Sequence, residues 1–213
     1  WCLNNYSIFQ IKRYFKMNII ITQSMLFPWI GMLEQIKLAD IIVHYDDVQF
    51  SKGSFTNRVQ IKTKDGFKWM TVPLEKVKLS QKIEEVKISK MNIWKKKHLN
   101  LPEHNFNNTP FKQEALQLVY DVYSKDYFSI SDLSRASMQK LIEYFELDKN
   151  LISYDISSLN IFGSSSERVL NTVLKLGGKT YITGHGARKY LDHKIFQKKN
   201  IEVKYMKYQK LPY

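Results

Sequence analysis

Two short runs, each almost wholly apolar and separated by the length of one helix, constrain this chain most. "NIIITQ" (18–23) is a continuous apolar run of the kind that forms a strand buried on both faces. "FPWIGMLEQIKLAD" follows, with Ile30, Leu33, Ile36 and Leu38 on one helical face and Pro28 suited to a first helical turn. "DIIVHYDD" is then a second buried strand. Strand, helix and strand at this spacing form a right-handed crossover unit, which makes the two strands parallel.

The pattern changes at residue 58. In "RVQIKTKDGFKWMTVPL" (58–74), apolar and polar residues alternate on both sides of Asp65-Gly66, the signature of a hairpin. "IEEVKIS" (83–89) reads as a further strand, and residues 91–146 read as helices, the first broken near Pro102. Strand and helix alternate again from residue 151: "LISYDIS", a helix from a Ser164–Glu167 capping box to Gly177-Gly178, "TYITG", "ARKYLDHKIFQKKN" and "IEVKYMKY". The predicted fold is α/β: a Rossmann-like three-layer arrangement on a mostly parallel sheet, with a β-hairpin and a helical insertion. Residues 17–213 form one domain in this reading, with residues 1–16 outside it and its C-terminal end missing.

The net charge of +13 invites a nucleic-acid reading, but 28 of the 33 basic residues are lysine and Lys, Ile and Asn are all abundant, which points partly to compositional drift. The excess is uneven: residues 60–100 hold eleven lysines against four acids, and residues 101–150 hold eight acids against five bases. A basic flank suits phosphorylated small molecules as well as RNA. Cys2 is alone, so neither a disulfide framework nor a thiolate metal site is expected, and a reducing, cytoplasmic location fits. His98 and His104 lack companions at ligand spacing, so neither metal nor cofactor is expected. No apolar run reaches the about 20 residues a membrane span needs, and Asn18, Thr22, Gln23 and Ser24 interrupt the first run, against a signal peptide.

In parallel sheets, ligands bind beyond the carboxyl ends of strands where strand order reverses. Three segments fall at such ends: Gln23–Pro28, Tyr45–Arg58 and Thr183–Arg188. Asp46 and Asp47 follow the second strand. As neighbours they point to opposite faces, so one is expected to serve a ligand as general base while the other holds the loop. The competing reading makes both strand-end caps or partners of Lys52 and Arg58. Asn57 and Arg58 can orient a sugar and grip a phosphate. Gln23 lies by a helix start, while Phe27 and Trp29 read better as turn and core. Gly184 and Gly186 let backbone amides approach a diphosphate, with Arg188 beside them and His185 as a candidate acid–base group. Ser164 and Ser165 lack a nucleophile elbow but can offer hydroxyls to a phosphate. Tyr190 and Asp192 read as helix surface or packing.

The blocks "ITQSMLFPWIGMLEQIKLADIIVHYDDVQFSKGSFTNR", "WMTVPL" and "SSSERVLNTVLKLGGKTYITGHGARKYLD" together resemble the WbqC-like family of bacterial proteins. That family shows Gln-Pro before its first helix, where this chain has Gln23-Ser24, and more often Ser-Gly where this chain has Thr183-Gly184. The resemblance adds Tyr45 and Gln49 to the candidate binding residues. It implies a place in O-antigen and lipopolysaccharide biosynthesis, working on nucleotide-linked sugars. The expected activity is that of a transferase moving a small acyl or aminoacyl group to a nucleotide-linked amino sugar. The alternatives are an RNA-binding protein or tRNA-dependent aminoacyl transferase, which uses the lysine excess, and a non-catalytic polysaccharide assembly protein.

Overall fold

A computed structural model describes residues 16–90, 93–107 and 109–208. Residues 1–15 of the expected extension (1–16) and the final residues 209–213 lie outside the described residues, while Lys16 is described and pairs with Glu202. The strands are β1 (Asn18–Thr22), β2 (Ile41–His44), β3 (Arg58–Thr63), β4 (Gly66–Thr71), β5 (Ile152–Asp155), β6 (Thr180–Thr183) and β7 (Glu202–Tyr205). The α-helices are α1 (Ile30–Lys37), α2 (Ile93–Asn105), α3 (Lys112–Tyr123), α4 (Ile130–Tyr144), α5 (Ser165–Lys175) and α6 (His193–Lys198).

Five strands form a parallel sheet in the order β5-β2-β1-β6-β7, and β3 and β4 form the separate antiparallel hairpin. The period-two alternation of buried strands sorts the core. Ile19, Ile21, Ile41, Val43 and Tyr181 face one way, against Leu170 and Val173 of α5 and Phe196 of α6. Ile20, Ile42 and Ile182 face the other, against Met32, Leu33 and Ile36 of α1 and Met138 and Ile142 of α4. The three layers follow directly from strands that are apolar on both sides. A second core, including Phe50, Val72, Ile83, Trp94, Tyr123 and Leu133, sits between the hairpin and the inserted helices.

Several local expectations need correction. Residues 83–85 form a single 3-10 turn, and the segment makes only isolated bridges, Leu74 with Ile88 and Lys87 with Ser129. Helix α2 runs through Pro102 to Asn105: the proline forfeits one intrahelical bond, that to the His98 carbonyl, without ending the helix. Pro28 precedes the helix, which starts at Ile30 with Trp29 at its N-cap. The Ser164–Glu167 capping box does not form: Ser165 adopts φ +48, and the Ser164 side chain makes no cap bond. The box appears instead at Ser129 and Asp132, opening α4. "ARKYLDHKIFQKKN" splits into a 3-10 turn, His185–Lys189, and α6.

Candidate functional site

The sheet order reverses at β1: the chain moves outward through β2 and β5, then returns to place β6 on the other side. At that reversal the strands part. β1 and β6 pair only at Asn18 with Thr180 and Ile19 with Tyr181, although β1 continues to Thr22 and β6 to Thr183. The parting leaves the Ile182 carbonyl in need of a donor, and the buried Gln35 of α1 supplies one through Nε2 at 3.1 Å. A crevice of about 740 Å³ opens above this split. Its polar lining includes Thr22, Gln23, Gln35, Ser165, Thr183 and His185, and its aromatic lining is Trp29, Tyr45, Tyr181, Tyr190 and Tyr208. Met25, Met32 and Met206 fill between them. A polar cavity of about 460 Å³ is lined by residues 75–81 and 85–87, none of them in the parallel sheet.

Of the residues singled out from sequence, Gln23, Tyr45, Ser165, Gly184, His185 and Gly186 line the crevice together. Gly184 and Gly186 have ordinary φ, and a Cβ on either would meet nothing within 4 Å. Their role is therefore open space at the wall, not a special backbone conformation. His185 is exposed and stacks on Tyr205 at 5.9 Å, and the Arg188 guanidinium lies 4.7 Å from the same ring. Ser164 is exposed at the start of α5. Trp29, expected in the core, is 46% exposed and forms a crevice wall edge-on to Tyr208 at 5.6 Å, while Tyr190 also lines the crevice. Phe27 does pack inward, against Tyr123, with φ +42 held by a bond from its N–H to Ser137 Oγ at 2.9 Å.

Gln49, Lys52, Asn57 and Arg58 lie apart from the crevice lining. Gln49 bridges to Lys82, and Lys52 is exposed. Asn57 Nδ2 donates to the Val72 carbonyl at 3.1 Å and leaves its buried Oδ1 without a partner. Arg58 donates to the Gly53 carbonyl and covers Trp69, 4.1 Å from the ring.

Asp46 and Asp47 do point apart, but their partners are not Lys52 and Arg58. Asp46 has no exposed surface: Oδ1 accepts from the Ser24 N–H at 2.8 Å, and Oδ2 accepts from Ser24 Oγ at 2.6 Å and Arg135 Nε at 2.7 Å. Arg135 also grips Asp155 at the end of β5, so one α4 side chain ties together the ends of two strands. Burial opposes the guanidinium charge, but Asp155 and Asp46 outweigh it and raise the Arg135 pKa. Burial likewise disfavours charge on Asp155, yet bonds from Arg135 and Ser157 keep its pKa below the usual value. His44 Nδ1 lies 3.1 Å from Ser24 Oγ; burial, then Arg135, depresses its pKa. Asp47 meets Arg168 of α5 through both carboxylate oxygens. That pairing raises the Arg168 pKa, and the same guanidinium sits 5.1 Å from the Tyr45 ring in the crevice wall. Burial raises the Tyr45 pKa.

Arg135 and Arg168 were missed in the sequence, yet a signal existed. With 28 lysines and only five arginines, an arginine marks a place where a planar fork or stack matters. Each described arginine bears this out: Arg58, Arg168 and Arg188 lie against aromatic rings, and Arg135 joins two carboxylates. Among the described residues, no cluster of three or more His, Cys, Asp or Glu could hold a metal, and no helix is long and apolar enough to cross a membrane.

The family model of the WbqC-like proteins matches residues 23–213, which includes all of the crevice lining except Ile21 and Thr22 of β1. The chain belongs to the WbqC-like protein family. It is similar to "Uncharacterized protein Rv1507c" of Mycobacterium tuberculosis, 29% identical over 193 residues that cover 89% of this chain and 82% of the relative. No solved structure matches.

Proposed function

We propose that this WbqC-like protein binds a nucleotide-linked amino sugar in the crevice between β1 and β6 and transfers a small acyl or aminoacyl group to its amine, in the building of a bacterial surface polysaccharide. The observation that carries the reading is the parting of β1 and β6 at the reversal of strand order, over a cavity walled by aromatic rings with a few polar groups between them. Tyr45 and Tyr190 offer faces for a base and a sugar, Gln23 and Ser165 offer hydrogen bonds, and Arg188, exposed and next to Ala187 of the lining, would meet the diphosphate.

His185 is the acid–base group this arrangement favours, because it lines the crevice while Asp46 is enclosed and Asp47 is held by Arg168. In the reaction the amine nitrogen bonds to the acyl carbon of an activated ester or thioester, and the bond to the leaving group breaks. His185 takes the amine proton and returns it to the leaving oxygen or sulfur. Among the described residues the crevice lining holds no cysteine, and direct transfer with both substrates bound needs none. The test is mass spectrometry of nucleotide-linked amino sugars incubated with the protein and a panel of acyl thioesters and aminoacyl esters. The expected result is a product gaining one acyl group, lost in His185→Ala. Binding without any gain in mass would refute catalysis and leave an assembly role.

A further inference from the structure

The two faces of the hairpin are unlike. Val59 and Met70, paired in register, point inward: Met70 is 2% exposed and Val59 packs on the inserted core. The outward face carries Arg58, Gln60 and Lys62 on β3 opposite Thr71, Trp69 and Phe67 on β4. The solvent side of an antiparallel pair is ordinarily polar. Here Trp69 is 41% and Phe67 69% exposed, and Phe55, 48% exposed, comes from the preceding loop to lie 5.8 Å from the Trp69 ring. The Arg58 guanidinium lies over Trp69, and the Phe55 and Trp69 rings are tilted by 47° to each other. None of the six outward residues is acidic, Lys52 shares the loop with Phe55, and Lys64 and Lys68 flank the turn. Asp65, at that turn, faces Lys68 at 3.9 Å.

We propose that this face binds single-stranded RNA, with bases stacked on Phe55, Phe67 and the Arg58 plane that Trp69 supports, and phosphates held by Lys52 and Lys62. Stacking surfaces laid on a sheet and interleaved with cations are what splayed bases on a polyanion require. The charge agrees: the chain carries +13, and residues 60–100 hold eleven lysines against four acids. Gln60, exposed and directly opposite Trp69, can both donate to and accept from a ribose 2′-hydroxyl, which selects RNA over DNA. A membrane surface fits less well, because the hairpin tip, Lys64-Asp65-Gly66, is polar and the rings lie on the face behind it. The assignment does not depend on the crevice chemistry, although the Leu26 N–H to Phe55 carbonyl bond, 2.9 Å, joins this loop to the segment that leads from the crevice.

The test is fluorescence anisotropy of a labelled oligouridylate of about ten nucleotides, titrated with the full chain. The matching DNA, inorganic polyphosphate and phosphatidylglycerol vesicles serve as separate probes. Phe67→Ser and Trp69→Ser alter outward positions, and urea unfolding of each single variant verifies the fold. The double variant is expected to bind RNA about tenfold more weakly or worse while holding polyphosphate as the wild type does. Lys62→Gln is expected to reduce the salt slope by about 0.7. Folded variants that bind RNA like the wild type, DNA bound as tightly as RNA, or binding to vesicles but not RNA would each overturn the proposal.

Discussion

Asp46→Asn separates a carboxylate that braces the fold from one that works on a ligand. The Asp46 carboxylate accepts three hydrogen bonds, from Ser24 N–H, Ser24 Oγ and Arg135 Nε, and none of its surface reaches solvent. An asparagine with its oxygen at the Oδ1 position keeps the first bond. Its Nδ2 then faces two donors. The Ser24 hydroxyl can rotate toward His44 Nδ1, 3.1 Å away, but Arg135 Nε cannot turn without releasing Asp155. One charge-assisted bond of roughly 1.5–3 kcal/mol is lost, and a donor is left facing a donor. Removing one partner of a buried ion pair costs about 3–5 kcal/mol. Because Arg135 keeps Asp155 and its side chain is 25% exposed, the low end applies, about 3 kcal/mol. That corresponds to a fall in Tm of roughly 6–12 °C for a chain of this size. Equilibrium unfolding in urea reads it as a lower midpoint at unchanged m. Asp47→Asn, at a partly exposed pair, is expected to cost about 1–2 kcal/mol. An Asp46→Asn protein that unfolds like the wild type yet loses all activity would refute the structural role.

Burial holds His98 neutral, with a pKa of about 4 against the ordinary 6.5, beside Tyr123 Oη at 3.0 Å. The unfolded chain takes up this proton first, so the contribution is fully present above pH 6.5 and lost as pH falls toward 4, by about 3 kcal/mol. The depressed pKa of His44 acts in the same direction below its ordinary value. Urea midpoints across this range should slope less in His98→Gln, and an NMR titration of His98 near 6.5 would contradict the argument. Gln35→Leu strands the Ile182 carbonyl and should cost about 1–3 kcal/mol in thermal or urea unfolding; an unchanged midpoint would show that the parted strands find another donor.

The sheet was legible because Ile19–Ile21 and Ile41–Val43 are apolar on consecutive positions, and short runs so rich in β-branched residues fit strands covered on both faces. The hairpin was equally plain from Asp65-Gly66 between alternating runs. The crevice was legible as three strand ends, since chain reversal in an α/β sheet fixes where loops gather. What clamps those loops was not. Arg135 and Arg168 lie 89 and 121 residues from Asp46 and Asp47, and no local period links such pairs. The serines of α4 read simply as polar positions of an amphipathic helix. Ser134 and Ser137 are in fact buried, donating to the Thr56 carbonyl at 2.6 Å and accepting from the Phe27 N–H, so loops after β1 and β2 rest on α4. Trp29 looked like core because large aromatics usually are, but its ring stands beside a cavity that opens only because β1 and β6 diverge.

Ligand binding in that cavity is tested most directly by comparing the wild type with Gly184→Leu in a thermal-shift titration against nucleotide-linked amino sugars. Gly184 has φ −79, and a Cβ there meets nothing within 4 Å, so leucine is accommodated by the backbone and takes up space at the crevice wall. At a ligand concentration of about 100 times Kd, the wild type should gain about 2.7 kcal/mol, and the variant, with the same unliganded midpoint, should gain little. An equal shift in both proteins would place the ligand outside the crevice, and a wild type unmoved by every nucleotide-linked sugar would contradict the substrate assigned to it.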